Sequence, residues 1–183
     1  MDHAVAEAAT AWATIATAVA SWALAAVTVG VVCAQIREAK RATGLQLFVL
    51  LTQDFQSPAM RSLRRAFATE LLIARLHEPQ RKPLADETVL EFFENLAHLT
   101  RDKVLERQIV WNYFSVTVDS YWHASQSFIG SLRVAEGDAE LYVDLEWLAK
   151  ELAAITSKRQ QRGYQPPQAE RVNDFLRSEQ SLT

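Results

Sequence analysis

Residues 8–36 carry no charged side chain. These roughly 29 positions would make about 43 Å of helix, against a bilayer hydrocarbon core of about 30 Å. The run holds no proline and one glycine, Gly30. A helix of this length in water needs charge on its wet face, and here there is none. The run therefore predicts a single N-terminal transmembrane helix. Alanine dominates it, so Val, Ile, Leu and Trp must supply the drive for insertion. A cleaved secretory leader competes with this reading, because Ala18-Val19-Ala20 has the small-x-small form of a cleavage site. Such leaders open with positive charge, however, and this chain opens with Asp2 and Glu7. A buried helix of a soluble bundle is the other alternative.

The flanks set an orientation. Every Lys and Arg lies at or after Arg37, and Arg37, Lys40 and Arg41 follow the run directly. The positive-inside rule then places the N-terminus outside and the remainder in the cytoplasm, at the cell (inner) membrane.

Polar residues in the run are ordered. Thr14, Ser21, Thr28 and Gln35 recur every seven residues, with Thr10 and Thr17 between them. At about 100° per residue they form one narrow stripe, with Ile15, Val19, Trp22, Ala26 and Cys33 opposite. Small and hydroxyl residues on one face let membrane helices approach closely, and a seven-residue repeat implies shallow left-handed packing. The stripe is expected to face another helix, in a homo-oligomer or a larger membrane complex. Alternatively, the hydroxyls bond back to carbonyls of their own helix and specify nothing.

The rest of the chain reads as a small cytoplasmic helical bundle. The expected divisions are 1–36 for the N-terminal segment with its transmembrane helix, 37–160 for the bundle and 161–183 for a polar tail or short helix. The first helix is expected to run on past the membrane through residues 35–53, with Leu45, Leu47, Phe48, Val49, Leu50 and Leu51 joining the core. Ser57-Pro58 is a helix start. Met60, Leu63, Phe67, Leu71 and Ala74 follow at helical spacing, and Glu78-Pro79 should stop the helix. Residues 80–85 read as a loop. Asp86 caps a helix that turns Leu90, Phe93, Leu96 and Ala97 inward. A long helix is expected over 104–133, although the β-branched and aromatic residues of 109–118 would also suit a strand. A second membrane span there is opposed by Asn112, Asp119 and His123. Glu136-Gly137-Asp138 ends that helix, and the next is expected over 139–159.

Composition excludes several function classes. An apolar fraction of 49% with 22% charged residues is globular rather than disordered. A net charge of -3 leaves no electrostatic footprint for nucleic acid. With Cys33 alone there is no intrachain disulfide. No phosphate-binding loop, dinucleotide fingerprint or nucleophile elbow is present.

Two constellations are candidates for chemistry. Glu94 with His98, and Asp119 with His123, are carboxylate–His pairs at i, i+4. Two such pairs on neighbouring helices have the ingredients of a carboxylate-bridged di-metal bundle, but those bundles use Glu-x-x-His at i, i+3 with further glutamates. Two hydrogen-bonded structural pairs is the plainer reading. Arg61, Arg64 and Arg65 form a basic cluster that could meet anionic headgroups, or line a solvated face paired with glutamates. The aromatics Phe92, Phe93, Trp111, Tyr113, Phe114, Tyr121 and Trp122 are expected in the core.

The layout resembles a bacterial family of membrane-anchored helical domains without an assigned function. The residues that carry the likeness are Phe55-Gln56-Ser57-Pro58-Ala59-Met60-Arg61 with Arg64-Arg65, Phe92-Phe93-Glu94-Asn95-Leu96, Val104-Leu105, Trp111, Tyr121-Trp122, and Tyr142, Leu145 and Trp147. The resemblance implies an all-α fold and a membrane anchor. It carries over no catalytic residue. The expected function is a membrane-anchored interaction protein, self-associating or an accessory subunit, with the lipid bilayer and other membrane subunits as partners and no cofactor. A small tethered metal enzyme using Glu94, His98, Asp119 and His123, or a membrane-acting stress or defence effector, are the alternatives.

Overall fold

Ser57 and Pro58 begin a helix as their chemistry requires. Ser57 Oγ accepts the N–H of Met60 at 3.1 Å, and Pro58 takes the first turn, where no amide partner is needed. The computed structural model describes residues 2–76 and 86–182, with side chains from residue 21 onward except 23, 25 and 26. Among these residues all regular structure is helical: α1 (Asp2–Phe55), α2 (Pro58–Leu76), α3 (Thr88–Arg101), α4 (Arg107–Glu136), α5 (Val143–Gln160) and α6 (Ala169–Gln180). The expected stop at Glu78-Pro79 and the loop 80–85 lie outside the described residues. The chain separates into two units, Met1–Thr43 and Gly44–Thr183, divided within α1.

In the first unit, the described large apolar residues are exposed. Trp22, Leu24, Val27, Val29, Val31, Val32 and Ile36 are between 45% and 78% accessible. At helical spacing they spread over more than half of the circumference, so no single narrow stripe faces a core. Ser21, Thr28 and Gln35 of the polar stripe are exposed too, as is Cys33 on the opposite side. Thr28 Oγ1 donates to the Leu24 carbonyl at 2.9 Å, the back-bonding alternative for that residue. The side chains of Thr10, Thr14 and Thr17 lie outside the described ones. Arg37, Lys40 and Arg41 are exposed. Among the described residues no helix is long and apolar enough to cross a membrane. The described part of the uncharged run, residues 21–36, is shorter than the roughly 20 residues a span needs; residues 8–20 fall outside the described side chains.

The second unit is a helical bundle. α3 packs on α5, α4 on α5 and α6, and α6 on α2. Its centre is aromatic: Phe55, Phe92, Phe93 and Phe114 contact one another with ring centroids 5.0–6.5 Å apart. The last turns of α1 enter this core on one face only. Phe48 and Phe55 are buried, whereas Leu45, Val49 and Leu50 are at least half exposed. The expected apolar block is therefore split, because a helix against one neighbour buries one stripe. Gly44 stands where the chain comes closest: a Cβ there would lie 2.4 Å from the Val104 carbonyl oxygen.

Residues 109–118 are helical, not extended. Val110, Phe114, Val118 and Tyr121 are buried at helical spacing, and that burial overrides β propensity. α4 starts at Arg107 rather than 104 because the N–H groups of Val104 and Leu105 close back on the Leu99 carbonyl, with Lys103 at φ 60°. Gly137, at φ 68°, ends α4. α5 begins at Val143, later than expected, because Tyr142 is left-handed at φ 57°. Of the seven aromatics expected in the core, Tyr113 is 66% exposed and Trp111 and Trp122 are half-buried. Residues 161–183 contain α6, whose Val172, Leu176 and Glu179 are buried.

Candidate functional site

Met60, Arg64, Phe67 and Leu71 share the buried stripe of α2. Arg64 thus points inward with three apolar neighbours, and its charge needs a partner there. Glu179 of α6 supplies it: Nε and Nη2 donate to the two carboxylate oxygens at 2.7 and 2.6 Å. Nη1 donates to the Phe55 carbonyl at 3.2 Å. The guanidinium carbon lies 3.9 Å from the Phe55 ring centroid. Tyr121 of α4 donates its hydroxyl to Glu179 at 2.6 Å. Burial pulls the Arg64 pKa down, but its hydrogen bond and charge interaction with Glu179 outweigh this and leave it raised. Burial, then the Glu179 charge, pushes the Tyr121 hydroxyl well above its ordinary range. The hydroxyl is therefore a fixed donor, not an acid.

This position corrects the reading of the basic cluster. Arg64 is not on a solvated or lipid-facing surface. Arg61 donates to the Gln56 carbonyl at 2.9 Å, and Arg65 reaches the Leu182 carbonyl.

The carboxylate–His pairs are each drawn into separate local structure. Glu94 caps α5: its oxygens accept the N–H groups of Leu145 at 2.7 Å and Asp144 at 3.2 Å. No side chain next to α5 in sequence caps its first turn, so α3 supplies the acceptor. Burial raises the Glu94 pKa, partly opposed by those amides. His98 lies 3.3 Å from Asp144 and 3.4 Å from Asp102, and Arg101 pairs with Asp144. Asp119 and His123 meet elsewhere, on Tyr164. The Tyr164 hydroxyl donates to Asp119, and His123 Nε2 stands 2.9 Å from the same oxygen. Burial, then the bond to Asp119, raises the Tyr164 hydroxyl. The two pairs share no partner. Among the described residues no group of three or more His, Cys, Asp or Glu is placed to hold a metal ion.

Asp119 and Tyr164 also line a groove of about 530 Å³ between α4, α5 and the 161–168 connection, with Trp111, Leu152, Thr156 and Pro166. Its volume suits a small ligand. Four of its polar side chains are engaged with one another: Trp111 Nε1 donates to Thr156 at 2.8 Å, and Arg162 Nε to Gln160 at 2.9 Å. Nothing in it resembles a nucleophile held by a base.

The sequence reading missed the Arg64–Glu179–Tyr121 network. The available signal was Arg64 itself, at i+4 from Met60 and i−3 from Phe67, on the apolar stripe of α2.

A family model described as Domain of unknown function (DUF4760) matches residues 5–152. Neither a curated protein nor a solved structure matches the chain.

Proposed function

The chain belongs to the DUF4760 family, and from that premise we propose that it is a membrane-anchored helical interaction protein whose bundle serves association rather than catalysis. One observation carries this reading. Seven large apolar residues, from Trp22 to Ile36, stand 45–78% exposed over more than half the circumference of a helix that carries no charge between Glu7 and Arg37. Left in water, each forgoes roughly half to three-quarters of the about 1.5–3 kcal/mol that full burial of such a side chain brings. A lipid environment for the whole of residues 8–36 recovers that energy, and Arg37, Lys40 and Arg41 then mark the cytoplasmic boundary. The uncharged residues 8–20 supply the length that residues 21–36 lack. In such an anchor Thr10, Thr14, Thr17, Ser21, Thr28 and Gln35 face a second helix, from another copy or from another membrane subunit. The inner membrane of a bacterial cell is the expected location.

Vesicle flotation tests the anchor. The full-length chain floats with lipid, and a variant with Val27, Val29, Val31 and Val32 all changed to Ser floats far less. Equal flotation of the two would remove the anchor from these residues. Changing Thr14, Ser21 and Thr28 to Leu is expected to weaken self-association in a bilayer without loss of flotation.

A further inference from the structure

We propose that the cleft between α2 and α4 is a helix receptor with an exchangeable occupant, and that two copies of this chain associate by each docking its α6 in the cleft of the other. The proposal deepens the self-association reading and rests on it only for the meeting of two copies.

α6 has the form of a docking helix. Val172, Phe175, Leu176 and Glu179 fall at i, i+3, i+4 and i+7 and face the bundle, the spacing by which an amphipathic helix reads a groove. Phe175 meets the Tyr121 ring edge-on at 5.0 Å. The receptor brings the complementary charge: buried Arg64 takes the Glu179 carboxylate through two nitrogens. This pair fixes register, because one turn of slippage would leave a buried cation and a buried anion unpaired. Any α6 with this sequence satisfies it equally, from the same chain or another.

The connection to α6 is held to α4 through Tyr164, on Asp119 and His123, and is otherwise without regular structure. Residues 163–168 form no helix and are mostly exposed, and Pro166-Pro167 prevents α5 and α6 from merging. The family match ends at residue 152. The receptor side, with Arg64, Phe67 and Tyr121, therefore lies inside the matched region, and its occupant lies outside. Exchange of one helix between identical chains replaces each of its cis contacts by the same contact in trans. Two anchored copies would meet at raised effective concentration.

Cross-linking of full-length chains in mild detergent tests this. Gln180 Nε2 donates to Thr69 Oγ1 at 3.1 Å across the α2–α6 contact. All chains carry C33S, which removes the exposed native thiol. T69C and Q180C chains are co-expressed and treated with a flexible bis-maleimide. Exchange gives a mixed band at twice the 20.6 kDa chain mass. Its yield should exceed that of a control pair in which Q180C is replaced by K150C, on the exposed side of α5. A T69C/Q180C double variant that links only within itself, with no mixed band above the control, would overturn the proposal. A double variant that links in neither way would overturn it as well, since α6 would then not occupy the cleft. Dimers by size without the mixed band would leave self-association standing and remove exchange. Absence of dimers would remove both.

Discussion

Glu179 of α6 holds Arg64 of α2 through both carboxylate oxygens, at 2.6 and 2.7 Å, and Tyr121 of α4 donates to the same carboxylate. One buried pair thus ties three helices together. Removing either charge strands the other: Arg64→Met or Glu179→Leu should each cost about 3–5 kcal/mol, whereas the two together should recover most of the loss. Urea unfolding of the full-length chain in mild detergent, followed by tryptophan fluorescence, gives the comparison. Additive losses in the double variant would show that the two groups act separately.

Gly44→Ala should destabilise the chain, although alanine is the better helix former by about 1 kcal/mol. The new methyl would lie 2.4 Å from the Val104 carbonyl, a backbone atom that cannot rotate away. Overpacking of this kind costs about 1–3 kcal/mol. Gly130 on α4 has nothing within 4 Å of the same position, so Gly130→Ala should gain about 0.5–1 kcal/mol. Opposite signs in thermal unfolding are the expected result.

Much of the bundle was legible, and the reasons are local. Ser57-Pro58, Gly137 and the stripe Leu90, Phe93 and Leu96 act within a few residues of themselves. What escaped was long-range. Arg64 and Glu179 are 115 residues apart, and no local spacing joins them. Glu94, at i, i+4 to His98, offers a hydrogen-bonded pair as the plainer reading and a metal ligand as the alternative; its acceptors are instead spent on the first turn of a helix some fifty residues later. α6 was set apart with a polar tail because its buried face comprises few residues among many charges. The exposure of Leu45 and Val49 was hidden because a contiguous apolar run does not show how many of its faces find a neighbour.

Glu94→Ala should destabilise the start of α5 by about 0.5–2 kcal/mol, the range for losing a helix cap. The loss should be the same with or without chelator. A chelator-dependent unfolding midpoint in the unaltered chain would instead restore the metal reading of Glu94, His98, Asp119 and His123.

Acid should weaken the α3–α5 contact through Asp144. Burial raises its pKa, but hydrogen bonds from Arg101 and His98 prevail and leave it below the ordinary 3.8. The unfolded chain then binds the proton first, so this contribution is present above pH 3.8 and fades as pH falls through the folded value. Glu146, lowered from 4.5 chiefly by its bond from Lys150, behaves alike. Glu94 is raised and acts in the opposite sense, its folded form taking up a proton above pH 4.5. Asp144→Asn should therefore flatten the fall in stability below pH 3.8; an unchanged slope would assign it to other carboxylates.

The anchor is tested most directly by where the untagged full-length chain goes when broken cells are washed with alkaline carbonate and centrifuged at high speed. An integral helix over residues 8–36 keeps the intact chain in the membrane pellet and releases it only to detergent. Recovery of the intact chain in the carbonate supernatant would contradict the account.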